Sequence, residues 1–207
     1  MNGQWSEEMV GGHPCDVYQP AVLNDAGFVI DDGVIARLST DRFHVTTTTG
    51  GAASVLQRME DFSQTEWPEL KVWLTSITEQ WAVLAVQGPR TRDVLDVLLD
   101  NGNRDVFSLS HMGVCECEIL GVSARIFRVS FTGELGFEIN IPSGFGASLW
   151  TELERVVSRV GGCIYGTDAM HVLRAEKGYV IVGQETDGTT TAGDLGLGRM
   201  IGMNKPD

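Results

Sequence analysis

The chain has 207 residues, 43% of them hydrophobic, and a formal net charge of −13. That length builds one large domain or two small ones that share an interface, and the negative charge argues against nonspecific nucleic-acid binding. No apolar run approaches the roughly 20 residues that cross a bilayer, and the polar, acidic start from Met1 to Glu8 is unlike a leader peptide, so a cytoplasmic protein with no membrane association is expected.

Residues 1–13 have weak pattern and read as a loose arm. Pro20 interrupts a stretch that would otherwise continue as a strand. A turn at Asn24-Asp25 leads into an apolar run that two adjacent acids, Asp31 and Asp32, break before it resumes at Val34. The pattern predicts a hairpin: Phe28 to Leu38, a turn at Ser39-Thr40-Asp41, then Phe43 to Thr49. A helix is expected over 52–64, with Val55, Leu56, Met59 and Phe62 on one face. Leu70 to Ile77 and Trp81 to Gln87 read as strands. Thr91 is placed to cap a short helix with Val94, Leu95, Val97 and Leu98 as its buried stripe.

Val114 to Leu120 and Ala124 to Ser130 predict a second hairpin around Gly121-Val122, and Gly136 to Ile141 a further strand. A helix over about 144–159 turns Leu149, Trp150, Leu153 and Val157 inward. Thr167 or Asp168 caps a last helix that runs to Lys177 and stops at Gly178. Several neighbouring strands are joined by tight turns, so the expected class is α+β with mixed or antiparallel sheets and packed helices, not a doubly wound fold. In the glycine-rich tail, Gly196-Leu197-Gly198 lacks the flanking strands that a dinucleotide-binding loop requires.

Of the cysteines, Cys115 and Cys117 form a C-x-C on one face of a predicted strand, with His111 the sole further ligand type nearby. No metal site is expected, and a reduced, structural role fits the four cysteines.

A buried carboxylate must be paired or protonated, so acids inside an apolar run draw attention. Asp31 and Asp32 face opposite ways on a strand, which leaves one to point inward. An inward carboxylate near a reacting amine can stabilise a developing cation or accept a proton. Equally, the pair can bond backbone amides in a bulge or turn. Glu134 and Glu138 would share one face of an extended segment; a carboxylate there can hold the adjacent N–H donors of a pterin edge, or form an ion pair with Arg174 or Arg128. The hydroxyls of Thr46 to Thr49 can line a polar pocket, although ordinary β propensity also accounts for them.

Taken in order, Gly33 to Leu38, Thr46 to Gly50, Gln64 to Pro68, Thr78 to Trp81, Gly88-Pro89, Phe131 to Glu134 and Met170 to Gly188 resemble the folate-binding aminomethyltransferase superfamily typified by the glycine cleavage T-protein. Within it the likeness is to the carboxy-terminal half of the sarcosine oxidase alpha subunit, over about residues 14–207. The resemblance implies a partial aminomethyltransferase-like domain from 14 to 207, truncated before a C-terminal barrel domain. It implies tetrahydrofolate as cofactor, with Asp32 catalytic beside the reacting nitrogens, and Glu138, Phe131 and Thr48 binding the folate. Phe131 stands where T-proteins carry Tyr, and Met170 where they carry an arginine. Arg174 and Glu176 match positions of structural ion pairs in the family pattern.

By this resemblance the chain accepts the one-carbon unit of the oxidised sarcosine imine and forms 5,10-methylenetetrahydrofolate, with the oxidation done by a flavin-bearing beta subunit. A free-standing aminomethyltransferase or methyltransferase of the same superfamily, and a non-catalytic remnant that only binds a partner, are the alternatives. Apolar surface left uncovered could also drive homo-oligomer formation.

Overall fold

A computed structural model describes residues 17–99 and 104–198. The expected arm over 1–13 lies outside the described residues. The chain divides into two compact units, Met1–Ser76 with Val180–Asp207, and Ile77–Tyr179. All named strand pairings are antiparallel, and four α-helices are described, in keeping with the α+β class.

The first unit is built from short strands. These are β1 (Val17–Tyr18), β2 (Ala21–Leu23), β3 (Val29–Asp32), β4 (Ile35–Arg37) and β5 (Phe43–Val45), followed by helix α1 (Ala52–Thr65). Pro20 stands between β1 and β2, where it cannot donate to a ladder. The hairpin expected from Phe28 to Thr49 is split. β4 and β5 do pair across the predicted turn, but β3 joins β2 in a separate two-stranded sheet. The break falls at Gly33, where a Cβ would overlap the Thr46 carbonyl. Val34 and Thr46 clasp there: the Val34 N–H donates to Thr46 Oγ1 at 3.0 Å, and the Thr46 N–H to the Val34 carbonyl at 2.9 Å. The later chain returns to this unit, as the Val29 N–H donates to the Thr190 carbonyl at 2.9 Å.

Leu70 to Ile77 does not form the expected strand. Its alternating side chains do not gain a buried face: Leu70, Val72 and Trp73 are exposed. Periodicity records which side chains could share a face; it does not supply the neighbouring strand.

The second unit has one four-stranded sheet, β6 (Trp81–Gln87), β9 (Gly136–Pro142), β8 (Val122–Phe127) and β7 (Val114–Ile119), in that spatial order. Its helices are α2 (Thr91–Leu98), α3 (Gly146–Arg159) and α4 (Thr167–Glu176). One face of the sheet gives Val86, Cys117, Ile119, Ala124, Ile126, Phe137, Ile139 and Ile141 to a buried cluster with Leu95 and Leu98 of α2 and Leu149, Leu153 and Val156 of α3. The β7–β8 hairpin turns at Leu120 and Gly121, both in the left-handed region at φ 54° and 74°. Such a two-residue turn matches the twist of its strands.

Three local expectations are corrected. Val97 and Trp150 lie on the solvent side of their helices, because Leu95 and Val156 complete the inward stripes. Thr91 is the first residue of α2 and donates to the Gly88 carbonyl at 2.7 Å, so it staples the preceding turn and does not cap the helix. The N-cap position of α4 is Gly166, with no side-chain cap from Thr167 or Asp168. That helix ends at Glu176, with Lys177 as its C-cap and Gly178, φ 74°, directly after it.

Candidate functional site

In the first unit the acid pair divides as strand geometry requires, and the inward member is Asp31. It is 1% exposed and shares its side of β3 with buried Val29, whereas Asp32 is half-buried. Asp31 Oδ1 accepts the N–H of Asp32 at 2.8 Å and that of Thr48 at 3.1 Å. Two expected site residues, Asp32 and Thr48, are thereby brought onto one side chain. Thr48 Oγ1 in turn accepts the Gly51 N–H at 3.1 Å, at the start of α1. Burial foremost, and then the neighbouring Asp31 charge, holds the Asp32 carboxyl above the usual carboxylate range. A carboxylate of that kind gains from a cation or a proton brought close to it.

In the second unit Glu138 lies on β9 opposite Ala85 and Phe127, on the face away from the helix-covered cluster. It is half-buried, and burial pushes its carboxyl up. The ion pair open to it in the sequence is not made: Arg128 donates to the Leu109 carbonyl, and Arg174 to the Tyr179 carbonyl at 3.0 Å. Among the described residues no cation pairs with Glu138. Glu134, by contrast, sits in the exposed turn before β9, 3.8 Å from Lys177 Nζ. The two glutamates therefore do not share a strand face.

Phe131 stacks on Tyr179, with ring centroids 6.2 Å apart and planes at 24°. Its loop is fixed from both sides by Gln87, whose Oε1 accepts from Ser130 Oγ at 2.5 Å and from Thr132 Oγ1 at 2.6 Å. Burial foremost, and then the Glu138 charge, raises the Tyr165 phenol. Asp32 and Thr48 thus belong to the first unit, and Glu138 and Phe131 to the second.

Three of these residues were not singled out in the sequence as parts of the site. Asp31 could have been chosen over its neighbour as the buried acid, because it has the parity of Val29. Tyr179 and Tyr165 carry no local signal, since each meets its partner through the fold of the second unit.

Comparison with known proteins gives these residues a setting. The model of the GCVT N-terminal domain family matches residues 14–205. The sarcosine oxidase subunit alpha of Corynebacterium sp. (strain U-96) is 49% identical over 172 residues, 83% of this chain and 18% of that protein. The subunit alpha of Rhizobium meliloti (strain 1021) is 39% identical over 90% of this chain and 19% of its own length. An aminomethyltransferase of Picosynechococcus sp. is 30% identical over 94% of this chain and 51% of its own. The chain therefore spans less than a fifth of the length of those alpha subunits and about half of that aminomethyltransferase. In fold it is similar to the glycine cleavage system aminomethyltransferase T of Bartonella henselae, with a TM-score of 0.77 over 93% of this chain and 49% of the other, at 24% identity. With the family model covering nearly the whole chain, from the acid pair through the Glu138 strand to the glycine-rich tail, the protein belongs to the glycine cleavage T-protein family, that of the GCVT N-terminal domain.

Proposed function

We propose that this chain is the tetrahydrofolate-binding part of a sarcosine oxidase alpha subunit. The observation that carries the reading is Glu138: a half-buried carboxylate with no protein cation paired to it among the described residues, in a chain 39–51% identical to sarcosine oxidase alpha subunits. Keeping such a group without a partner is costly, and a ligand edge with adjacent N–H donors removes that cost. The 2-amino-4-oxo edge of a pterin is of this kind. Phe131, backed by Tyr179, offers an aromatic face for the ring, and Thr48 a polar contact.

Bound tetrahydrofolate supplies the two nitrogens that take up a one-carbon unit. Those nitrogens would take the methylene carbon of the oxidised sarcosine imine and give up their two N–H protons to the departing glycine, with 5,10-methylenetetrahydrofolate as the product. Asp32 is the group that stabilises the cationic iminium and orients the amine. The oxidation of sarcosine belongs to a flavin-bearing partner subunit, and the reaction to the cytoplasm. No helix among the described residues is long and apolar enough to cross a membrane.

The test is isothermal titration of the chain with tetrahydrofolate. Saturable binding is expected, and Glu138→Ala should weaken it by about 2 kcal/mol, roughly 30-fold, as for a lost charge-assisted bond. Unchanged affinity in that variant removes Glu138 from the site. Copurification with a flavoprotein separates this reading from a free-standing aminomethyltransferase, which would be isolated colourless and alone.

A further inference from the structure

We infer that Asp31 is a positioning residue, holding the backbone of Asp32 and Thr48 in one arrangement, with Gly51 keeping open the space its carboxylate occupies. The inference rests on the proposed folate roles of Asp32 and Thr48, and extends them to residues with no ligand contact assigned.

A buried carboxyl group is costly to desolvate. Val29, two residues earlier on the same side of β3, is 3% exposed and apolar; Asp31, in the equivalent position, is 1% exposed and carries a carboxyl group. A valine there would fill the space without desolvating a carboxyl group. The acid does something valine cannot: Oδ1 collects two backbone N–H groups, one from its neighbour Asp32 and one from Thr48, 17 residues along. Thr48 leads through its hydroxyl and carbonyl to the Gly51 N–H, so β3, the threonine run and the first turn of α1 are tied at one point.

The second oxygen carries an independent signal. Oδ2 is fully buried and has no hydrogen-bond partner among the described residues. It packs on Gly51, where a Cβ would overlap it and would also crowd Thr48 Oγ1. Gly51 has φ −87° and ψ −16°, a conformation in which alanine is unstrained. Gly51 is the N-cap of α1, a position where glycine is in any case preferred to alanine. Beyond that preference, a methyl group there would occupy the space that the Asp31 carboxylate fills.

The test compares the 207-residue chain with Asp31→Ala, Asp31→Asn and Gly51→Ala by amide hydrogen exchange and by tetrahydrofolate titration. Asp31→Ala should speed exchange at the Asp32 and Thr48 amides by about tenfold, the loss of one buried hydrogen bond, with the β6 and β9 amides unchanged, and should weaken folate binding. Asp31→Asn keeps the accepting oxygen and should keep both the protection and the affinity. Gly51→Ala should loosen the same two amides, and adding it to Asp31→Ala should loosen them no further. If Asp31→Ala does not fold, Asp31→Asn and Gly51→Ala still decide the matter. Protection unchanged in Gly51→Ala, an asparagine variant as loose as the alanine one, or loosened amides with parental affinity would each overturn the inference. A parent chain that binds no tetrahydrofolate would overturn the proposed function instead, while the exchange pattern still judges the tie.

Discussion

The two units of this chain are held together in different ways. In Ile77–Tyr179 a continuous four-stranded sheet lays one face on two helices, and a single apolar cluster joins them. In the first unit the strands are two to four residues long, in two small sheets, and the junctions are made by side chains bonded to backbone: Asp31 to Asp32 and Thr48, Thr46 to Val34, Asn24 to Ala26 and Phe28. A ladder with a buried face distributes its stability over many similar contacts. A set of polar junctions concentrates it in a few atoms, and those atoms can hold a loop in a shape that no regular strand would take.

The comparison makes ordered predictions. The largest effect is expected in the second unit: Phe137 is fully buried at the centre of the cluster, and Phe137→Ala should cost about 3–5 kcal/mol, read as a lower midpoint in chemical denaturation. A loss below 1 kcal/mol would mean the cluster does not carry this unit. A smaller effect is expected at a polar junction of the first unit. Asn24 Oδ1 accepts two N–H groups at 3.0 Å in a partly exposed turn, so Asn24→Ala should cost about 1 kcal/mol. A cost equal to that of Phe137→Ala would erase the distinction between the units.

The smallest change is a change of slope. Burial raises the Glu138 carboxyl, so the folded chain binds that proton more tightly than the unfolded one. Its contribution to stability is present at low pH and is lost as pH rises from the ordinary carboxylate range through the raised value. Glu138→Gln removes this dependence, and denaturation midpoints of the variant should fall less than those of the parent between acid and neutral pH. Parallel curves would show that Glu138 titrates as an exposed acid.

How much could be read from the sequence follows the same division. In the second unit the apolar period places β6, β7, β9 and α3 to within about two residues, because each element there has its partner in the cluster. It places β8 over Ala124 to Ser130 where the strand is Val122–Phe127, and it turns Val97 and Trp150 inward, large apolar side chains beside a stripe that was already complete. In the first unit the same reasoning ran β3 and β4 together, because the clasp of Gly33 on Thr46 is a contact between distant residues. The acid pair was legible as an anomaly, and the family pattern directed attention to Asp32. That Asp31 would be the buried member, bonded to Thr48, depended on where the threonine run came to lie.

The exposed apolar side chains after α1 bear on how the protein behaves in concentrated solution. Residues 70–77 hold one charged side chain, Lys71, and no proline, with Trp73 86% exposed. An exposed stretch of this composition can stick one molecule to another. The chain's net charge of −13 keeps the molecules apart. Added salt shortens the reach of that repulsion and leaves the tryptophan where it is, so colloidal stability in this protein is an electrostatic property guarding a hydrophobic weakness.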